Sequence, residues 1–291
     1  MNIIETQHLT KYYGKARGIL DVDLEIHEGE IFGFIGPNGA GKSTTIRTLL
    51  NLIYPTSGTG KVFGLDIIRE AKAIKKQIGF MPSEVNYYDN MTVAELLRYS
   101  ANFYEGDGEA RIEKFAQLFD VDLTKEIVDL STGNKKKISI VQSLLHRPKL
   151  LILDEPTNGL DPLMQARFFE VLRQENEQGT TIFFSSHILG EVQKLCKRVA
   201  IIKEGRIIKI EEIETLRKRQ LKRIRVEFRQ AIDQNKFKLN GIHLFDMQNN
   251  VANFLFAGEI NELLQVLAQK NIGNLTIEEP TLEEIFMHYY T

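Results

Sequence analysis

The sequence predicts an α/β fold in which a mostly parallel sheet lies between helices, followed by a small C-terminal α+β domain. Three observations carry this reading. An apolar run, Ile31-Phe32-Gly33-Phe34-Ile35, feeds a glycine-rich loop and then a segment with helical patterning. Two further apolar runs, Leu150 to Leu153 and Thr181 to Phe184, lack alternation and end in polar residues, as expected of parallel strands covered on both faces. Near residue 211 the composition shifts, and a charged stretch precedes several short strand-like runs.

Each element has a local reason. Glu28-Gly29-Glu30 punctuates the chain before the strand at 31–35, and a short apolar run bounded by turn residues reads as a buried strand. Thr45 to Leu50 has apolar positions that suit a helix after the loop. The segment from about 66 to 148 reads as mostly helical, and Thr92 with Glu95 before Leu96-Leu97 forms a capping-box signature. Asp161 to Gln178 reads as a helix between the two later strands, and Ala200 to Ile208 as a hairpin around Glu204-Gly205. Beyond the charged stretch, Val226 to Phe228, Ile242 to Met247, Val251 to Phe256 and Leu275 to Ile277 read as strands. Ile260 to Lys270 and Thr281 to Tyr290 read as helices, the last with Thr281 and Glu284 as a capping box.

Composition excludes several classes. The 291 residues are 43% hydrophobic and 26% charged, the balance of a globular protein with a core rather than a disordered chain. A net charge of -2 argues against a protein that coats nucleic acid by bulk electrostatics. The single cysteine, Cys196, excludes a disulfide framework and a cysteine-built zinc site within one chain. The start, MNIIETQHLTKYYG, shows no secretory signal, and no stretch approaches the ~20 apolar residues of a membrane span. The expectation is a chain that does not cross a membrane alone.

The chemistry centres on the loop. Gly36-x4-Gly41-Lys42-Ser43 is a Walker A pattern, and it stands between a strand and a helix. Glycines let successive backbone N–H groups turn toward phosphates, and the helix that follows adds its positive end. Lys42 is expected to reach the outer phosphates and Ser43 to ligate Mg²⁺. Asp154 closes a buried strand, which places its carboxylate at the sheet edge beside the loop, the Walker B position where it helps hold Mg²⁺. Glu155 follows, where a base can act on an attacking water. His187 follows the next strand and is expected at the same edge, within reach of a terminal phosphate. The remaining histidines, His8, His27, His146, His243 and His288, show no comparable setting.

These motifs carry a family resemblance. Over about residues 3–215 the chain resembles the nucleotide-binding subunit of an ATP-binding-cassette (ABC) transporter, with Walker A as GPNGAGKST, Walker B as LLILDE and the D-loop region as NGLD with Asp161. The resemblance implies a P-loop NTPase with a RecA-like core, an N-terminal antiparallel β-subdomain and a helical signature subdomain at about 85–148. It places a nucleotide-binding domain at 1–218 and an accessory α+β domain at 219–291. It implies ATP and Mg²⁺ as ligands, with Gly36, Asn38, Gly39, Ala40, Gly41, Lys42, Ser43 and Thr44 around the nucleotide. Glu155 and His187 are the implied catalytic residues, and Ser43 and Asp154 the Mg²⁺ residues. Tyr13 corresponds to the aromatic that stacks on adenine; packing of Tyr12 or Tyr13 on the β-subdomain is the other reading. Ser131, Thr132, Gly133 and Asn134 stand at the signature, which in the family faces ATP bound to the other subunit.

The partners implied are a second nucleotide-binding subunit, the same or related, and a separate membrane permease that docks near Ser83 to Asn90, where Tyr87 and Tyr88 lie. The implied place is the cytoplasmic face of the membrane, through that permease. The short accessory domain resembles that of bacterial exporter ATPases for drugs or antimicrobial peptides, so export is favoured over import and no nucleic acid is expected. Two departures stand out. Ser83 occupies the position of the Q-loop glutamine, too short to reach as glutamine does, with Glu84 or water as substitutes. Thr132 and Asn134 replace a glycine and a glutamine of the signature. Lys135-Lys136-Lys137 follow at a helix start, where the macrodipole disfavours cations; a bound anion or simple solvation would each answer that conflict. A soluble cassette ATPase acting on nucleic acid or ribosomes, with the basic run at 217–225 as its patch, and a small-molecule P-loop kinase are the readings from other classes.

Overall fold

A computed structural model describes residues 1–87, 90–218, 221–230 and 240–280. The described chain divides into two compact units, Met1–Glu211 and Glu212–Thr291. The first unit begins with β1 (Asn2–Tyr13), β2 (Ala16–His27), β3 (Ile31–Ile35), α1 (Lys42–Leu49), β4 (Ser57–Val62), β5 (Leu65–Asp66), α2 (Ala71–Lys75) and β6 (Ile78–Met81). It continues with α3 (Val93–Ala101), α4 (Gly108–Phe119), α5 (Thr132–Leu144), β7 (Leu150–Asp154), α6 (Pro162–Glu177), β8 (Thr181–Ser186), α7 (Leu189–Leu195), β9 (Arg198–Lys203) and β10 (Arg206–Glu212).

The central sheet runs β10-β9-β3-β8-β7-β6. Strands β9, β3, β8, β7 and β6 pair in parallel. Every residue of β3, β7 and β8 is buried, which is why these strands read as unbroken apolar runs. Phe32, Phe34 and Phe183 form tilted ring pairs in their core. Gly33 belongs to the same packing. A Cβ there would sit 2.5 Å from Val192 Cγ1 on α7 and 3.3 Å from the sulfur of Cys196. Cys196 is buried, and burial pushes its thiol well above the ordinary range.

The segment expected to be mostly helical contains a strand. Ile78 to Met81 pairs with Leu150 to Leu153 and forms the sheet edge as β6. Four residues are too few to show a period, so the sheet partner decides their state. A second, antiparallel sheet has the order β2-β1-β4-β5. The hairpin at Glu204-Gly205 has both turn residues at positive φ, 50° and 77°, the geometry that matches strand twist in a two-residue turn.

Between β6 and β7 the chain forms a helical layer. The N-cap of α3 is a reciprocal box: Thr92 Oγ1 accepts from Glu95 N at 3.2 Å, and Thr92 N donates to Glu95 Oε2 at 2.8 Å. Helices α4, α5 and α6 meet at one buried cation. Arg111 on α4 donates to Leu144 O at 2.9 Å and to Glu175 Oε1 on α6 at 3.0 Å. This pair fastens the helical layer to the helix that follows the D-loop.

The second unit contains α8 (Ile213–Lys218), β11 (Leu221–Phe228), β12 (Ile242–Gln248), β13 (Val251–Ala257), α9 (Ile260–Ala268) and β14 (Ile272–Glu278). Its antiparallel sheet has the order β12-β13-β11-β14. Ile224, Val226 and Phe228 alternate inward from β11 and pack with Phe254, Phe256 and, on α9, Leu263 and Leu267. The described end of the basic run enters a strand, where Arg223 and Arg225 alternate with the buried Ile224 and Val226. The helix read at Thr281 to Tyr290, His288 and Tyr88 lie outside the described residues.

Replacing Glu175 with alanine leaves the Arg111 charge buried without its partner, which costs about 3–5 kcal/mol. A fall of that size in the unfolding free energy from urea titration is expected, with most of it recovered when Arg111→Met is combined with Glu175→Leu. A single variant that loses less than about 1 kcal/mol would remove the pair from the account of stability.

Candidate functional site

The carboxyl ends of β3, β7 and β8 converge on one edge. From β3 the chain enters the loop at Gly36, turns through Gly39 and Gly41 at φ 77° and 113°, and starts α1 at Lys42. Gly41 is the N-cap, and its left-handed backbone is open to glycine at little cost. Helix α1 packs against β7, so the loop and the end of β7 are neighbours.

The Lys42 side chain folds back over the loop. Its Nζ donates to Gly36 O at 2.7 Å and Pro37 O at 3.2 Å, and lies 3.0 Å from Glu155 Oε1. Lys42 is 5% exposed and Glu155 7%. The other Glu155 oxygen lies 2.7 Å from His187 Nδ1. Three residues from three sheet-end segments therefore form one chain, Lys42–Glu155–His187. A buried carboxylate is tolerable only with such partners.

Ser185 organises the carboxylates. Parallel register sets Asp154 beside Ser185. Ser185 Oγ donates to Asp154 Oδ1 at 2.7 Å and accepts from Glu155 N at 3.1 Å. Glu155 itself has φ 48°, in the left-handed region, a strained backbone of the kind found where geometry serves function. Ser186 sets the next loop, with its Oγ donating to the buried Glu191 at 2.7 Å and accepting from Ile188 N at 2.9 Å. Neither serine was singled out by motif. Their signal was small polar residues ending an apolar strand.

Tyr13 ends β1 beside the loop. It is 45% exposed, and a Cβ built at Gly18 would stand 3.0 Å from its ring and 3.1 Å from Thr44 Cγ2. Ring and loop helix thus flank the same glycine. Lys11 Nζ lies over the ring at 5.5 Å. Tyr12 is comparably exposed, at 42%.

The signature residues gather with the D-loop. Ser131 is the N-cap of α5, accepting from Asn134 N at 3.3 Å. A Cβ at Gly133 would lie 3.1 Å from Gly159 O. Asp161 caps α6 by accepting from Met164 N at 3.0 Å, and that bond holds its carboxyl below the usual range. Ser131 and Thr132 are exposed, so a surface rather than a pocket is presented. Within the lysine run, Lys136 is only 3% exposed, against solvation as the answer for that residue. Its Nζ donates to Ser83 O at 2.7 Å and Pro82 O at 3.2 Å. Burial lowers its pKa, and the charges of Asp154, Glu155 and Glu84 oppose that shift. Glu84 is exposed.

Near this segment lies a cavity of about 900 Å³, lined by Pro82, Glu84 and Tyr87 on one side and by Tyr99, Phe103 and His146 on another. Tyr99 and Phe103 form an edge-on pair at 5.1 Å and are 51% and 65% exposed. His146 stacks on Tyr104 at 3.7 Å, and burial lowers its pKa to about 4.

The donor set suits a hard cation. Ser43 offers a hydroxyl and Asp154 a carboxylate. Among the described residues no three His, Cys, Asp or Glu gather as a metal cage, and Mg²⁺ characteristically completes such sparse sites with phosphate oxygens and water.

A family model described as ABC transporter matches residues 19–158. The chain is similar to a bacitracin transport ATP-binding protein of Bacillus licheniformis, 35% identical across 98% of this chain and 96% of the relative. It is also similar to a linearmycin resistance ATP-binding protein of Bacillus subtilis, 38% identical across 72% of this chain and 68% of the relative. A solved dimeric structure of a bacterial ABC transporter cassette matches with a TM-score of 0.67 and 25% identity, across 72% of this chain and 98% of that one. The P-loop, the carboxylates behind it and a relative matched along nearly its whole length lead to one conclusion: the chain belongs to the ATP-binding proteins of ABC transporters.

Proposed function

We propose that this ATPase drives export of drugs, peptides or similar amphipathic substrates through a separate membrane permease, by ATP-dependent closure of two nucleotide-binding subunits. The observation that carries the mechanism is the Lys42–Glu155–His187 chain at the sheet edge. The phosphates of ATP offer Lys42 stronger acceptors than the Gly36 and Pro37 carbonyls it now meets. Its transfer to them releases Glu155 to act as base on the attacking water, with His187 on the terminal phosphate. Ser43 and Asp154 would hold Mg²⁺, which supplies neutralisation of phosphate charge when bound. Gly36, Asn38, Gly39, Ala40, Gly41 and Thr44 complete the phosphate cradle, and Tyr13 stacks on adenine.

Ser131 and Thr132, which are exposed, and the half-buried Gly133 and Asn134 face the nucleotide of the second subunit, with Asp161 in the adjoining D-loop. The second subunit is a copy of this chain or a relative. The dimeric cassette supports this pairing, and the names of the bacitracin and linearmycin relatives support the class of substrate. No helix among the described residues is long and apolar enough to cross a membrane, and in this reading the path lies in a separate permease. It docks in the cavity beside Ser83 to Tyr87, where the exposed Tyr99–Phe103 pair offers apolar surface. The chain thereby sits peripherally on the cytoplasmic face.

Glu155→Gln is expected to slow phosphate release ~10²–10⁴-fold and to accumulate an ATP-bound dimer in light scattering; normal turnover would refute the base assignment. Tyr13→Ala removes a stacking contact worth ~1–3 kcal/mol, so the KM for ATP should rise roughly 5- to 150-fold, and an unchanged KM would return Tyr13 to a packing role. Tyr99→Ser with Phe103→Ser should abolish copurification with the permease while ATP binding stays intact; retained copurification would place the dock elsewhere.

A further inference from the structure

Helix α5 does more than carry the signature residues at its start. Lys136, Ser139 and Gln142 follow at intervals of three, a spacing that keeps them on one side of the helix. The first and last of them bond the segment 82–87. Lys136 Nζ donates to the carbonyls of Pro82 and Ser83, and Tyr87 donates to Gln142 Oε1 at 3.2 Å. Gln142 in turn donates to Ser100 Oγ on α3 at 2.8 Å. The segment is strapped along the helix at both ends.

The strap has two faces. Pro82, Glu84 and Tyr87 line the cavity, while the ammonium of Lys136 feels the charges of Asp154 and Glu155. Position 83 is where the resembling family carries a glutamine long enough to reach the nucleotide. Here the side chain is serine, and the carbonyl of the same residue is bound by a buried cation from the signature helix. An ammonium brings three donors and a charge to that place, so two backbone carbonyls and the field of the nearby carboxylates are served by one group.

We propose that Lys136 is a positioning residue that fixes the cavity wall at 82–87 to the signature helix, so that movement of that helix on nucleotide closure reaches the permease-facing cavity through this lysine instead of through a side chain at position 83. The inference rests on the ATPase and docking reading above. It assigns to the pair Ser83 and Lys136 a coupling role in which the backbone of one residue and the charge of the other act together.

The test uses the full-length chain with Lys136→Met and Lys136→Arg, read by hydrogen exchange of the amides of residues 83–87 and by steady-state ATP hydrolysis. Losing a charge-assisted tie should accelerate exchange there about tenfold in Lys136→Met. The same variant should lower kcat about tenfold while the KM for ATP stays within about twofold, the signature of a group used after binding. Lys136→Arg should restore slow exchange and most of kcat. Because Lys136→Met also removes a buried charge, the thermal midpoint need not fall, which separates positioning from folding; should that variant not fold, Lys136→Gln makes the same comparison. Unchanged exchange in the uncharged variant overturns the strap, and faster exchange with unchanged kcat overturns its role in turnover. A wild-type chain that hydrolyses no ATP would instead sink the functional reading, and the exchange comparison would still decide whether the strap exists.

Discussion

A buried carboxylate constrains everything around it. Glu155 follows the fully buried strand β7 with 7% of its surface exposed, and a carboxylate in that setting needs partners. Lys42 meets one oxygen and His187 the other. Its own backbone is turned to positive φ, and its N–H is bound by both the carbonyl and the hydroxyl of Ser185. Those partners come from the loop after β3 and the end of β8, so strand register, loop conformation and lysine placement are mutually required. A slip of β8 by one residue against β7 would carry Ser185 away from Asp154 and turn its side chain to the opposite face.

The arrangement also holds the loop around Lys42. Lys42 is not left searching in solvent; it is bound to two loop carbonyls and a carboxylate. On the proposed reading phosphate competes with these acceptors, so the binding free energy would be a difference between two well-satisfied states. The benefit is order. The loop is held near its working shape, and little conformational entropy is left to lose on binding. The hairpin tip contributes from outside the loop, because Gly205 N donates to Ala40 O at 2.8 Å.

Much of this was legible in the residues. Unbroken apolar runs marked β3, β7 and β8 because parallel strands are covered on both faces. Thr92, Ser131 and Asp161 announced helix starts, since a short polar side chain before a helical pattern has few better uses. What escaped was set by tertiary context. Strands β1 and β2 carry repeated register shifts, which break the two-residue period a reader looks for. Strand β6 is four residues long and owes its state to β7. Lys136 read as one of three equivalent lysines, because the Pro82 and Ser83 carbonyls that bury it lie more than fifty positions away. The left-handed backbone of Glu155 had no sequence signal at all, glutamate having no preference for it.

The placement of the lone sulfur atom has a practical side. Cys196 is the only cysteine in 291 residues, and it lies buried against Gly33 with its thiol pushed far toward the protonated form. Thiolate is the reactive species, so the native chain is nearly silent toward thiol reagents while folded. A cysteine introduced on an exposed helix face would then label selectively against an unmodified background. Spectroscopic rulers for subunit closure can be installed on this protein one thiol at a time, with the packing around β3 left as it is.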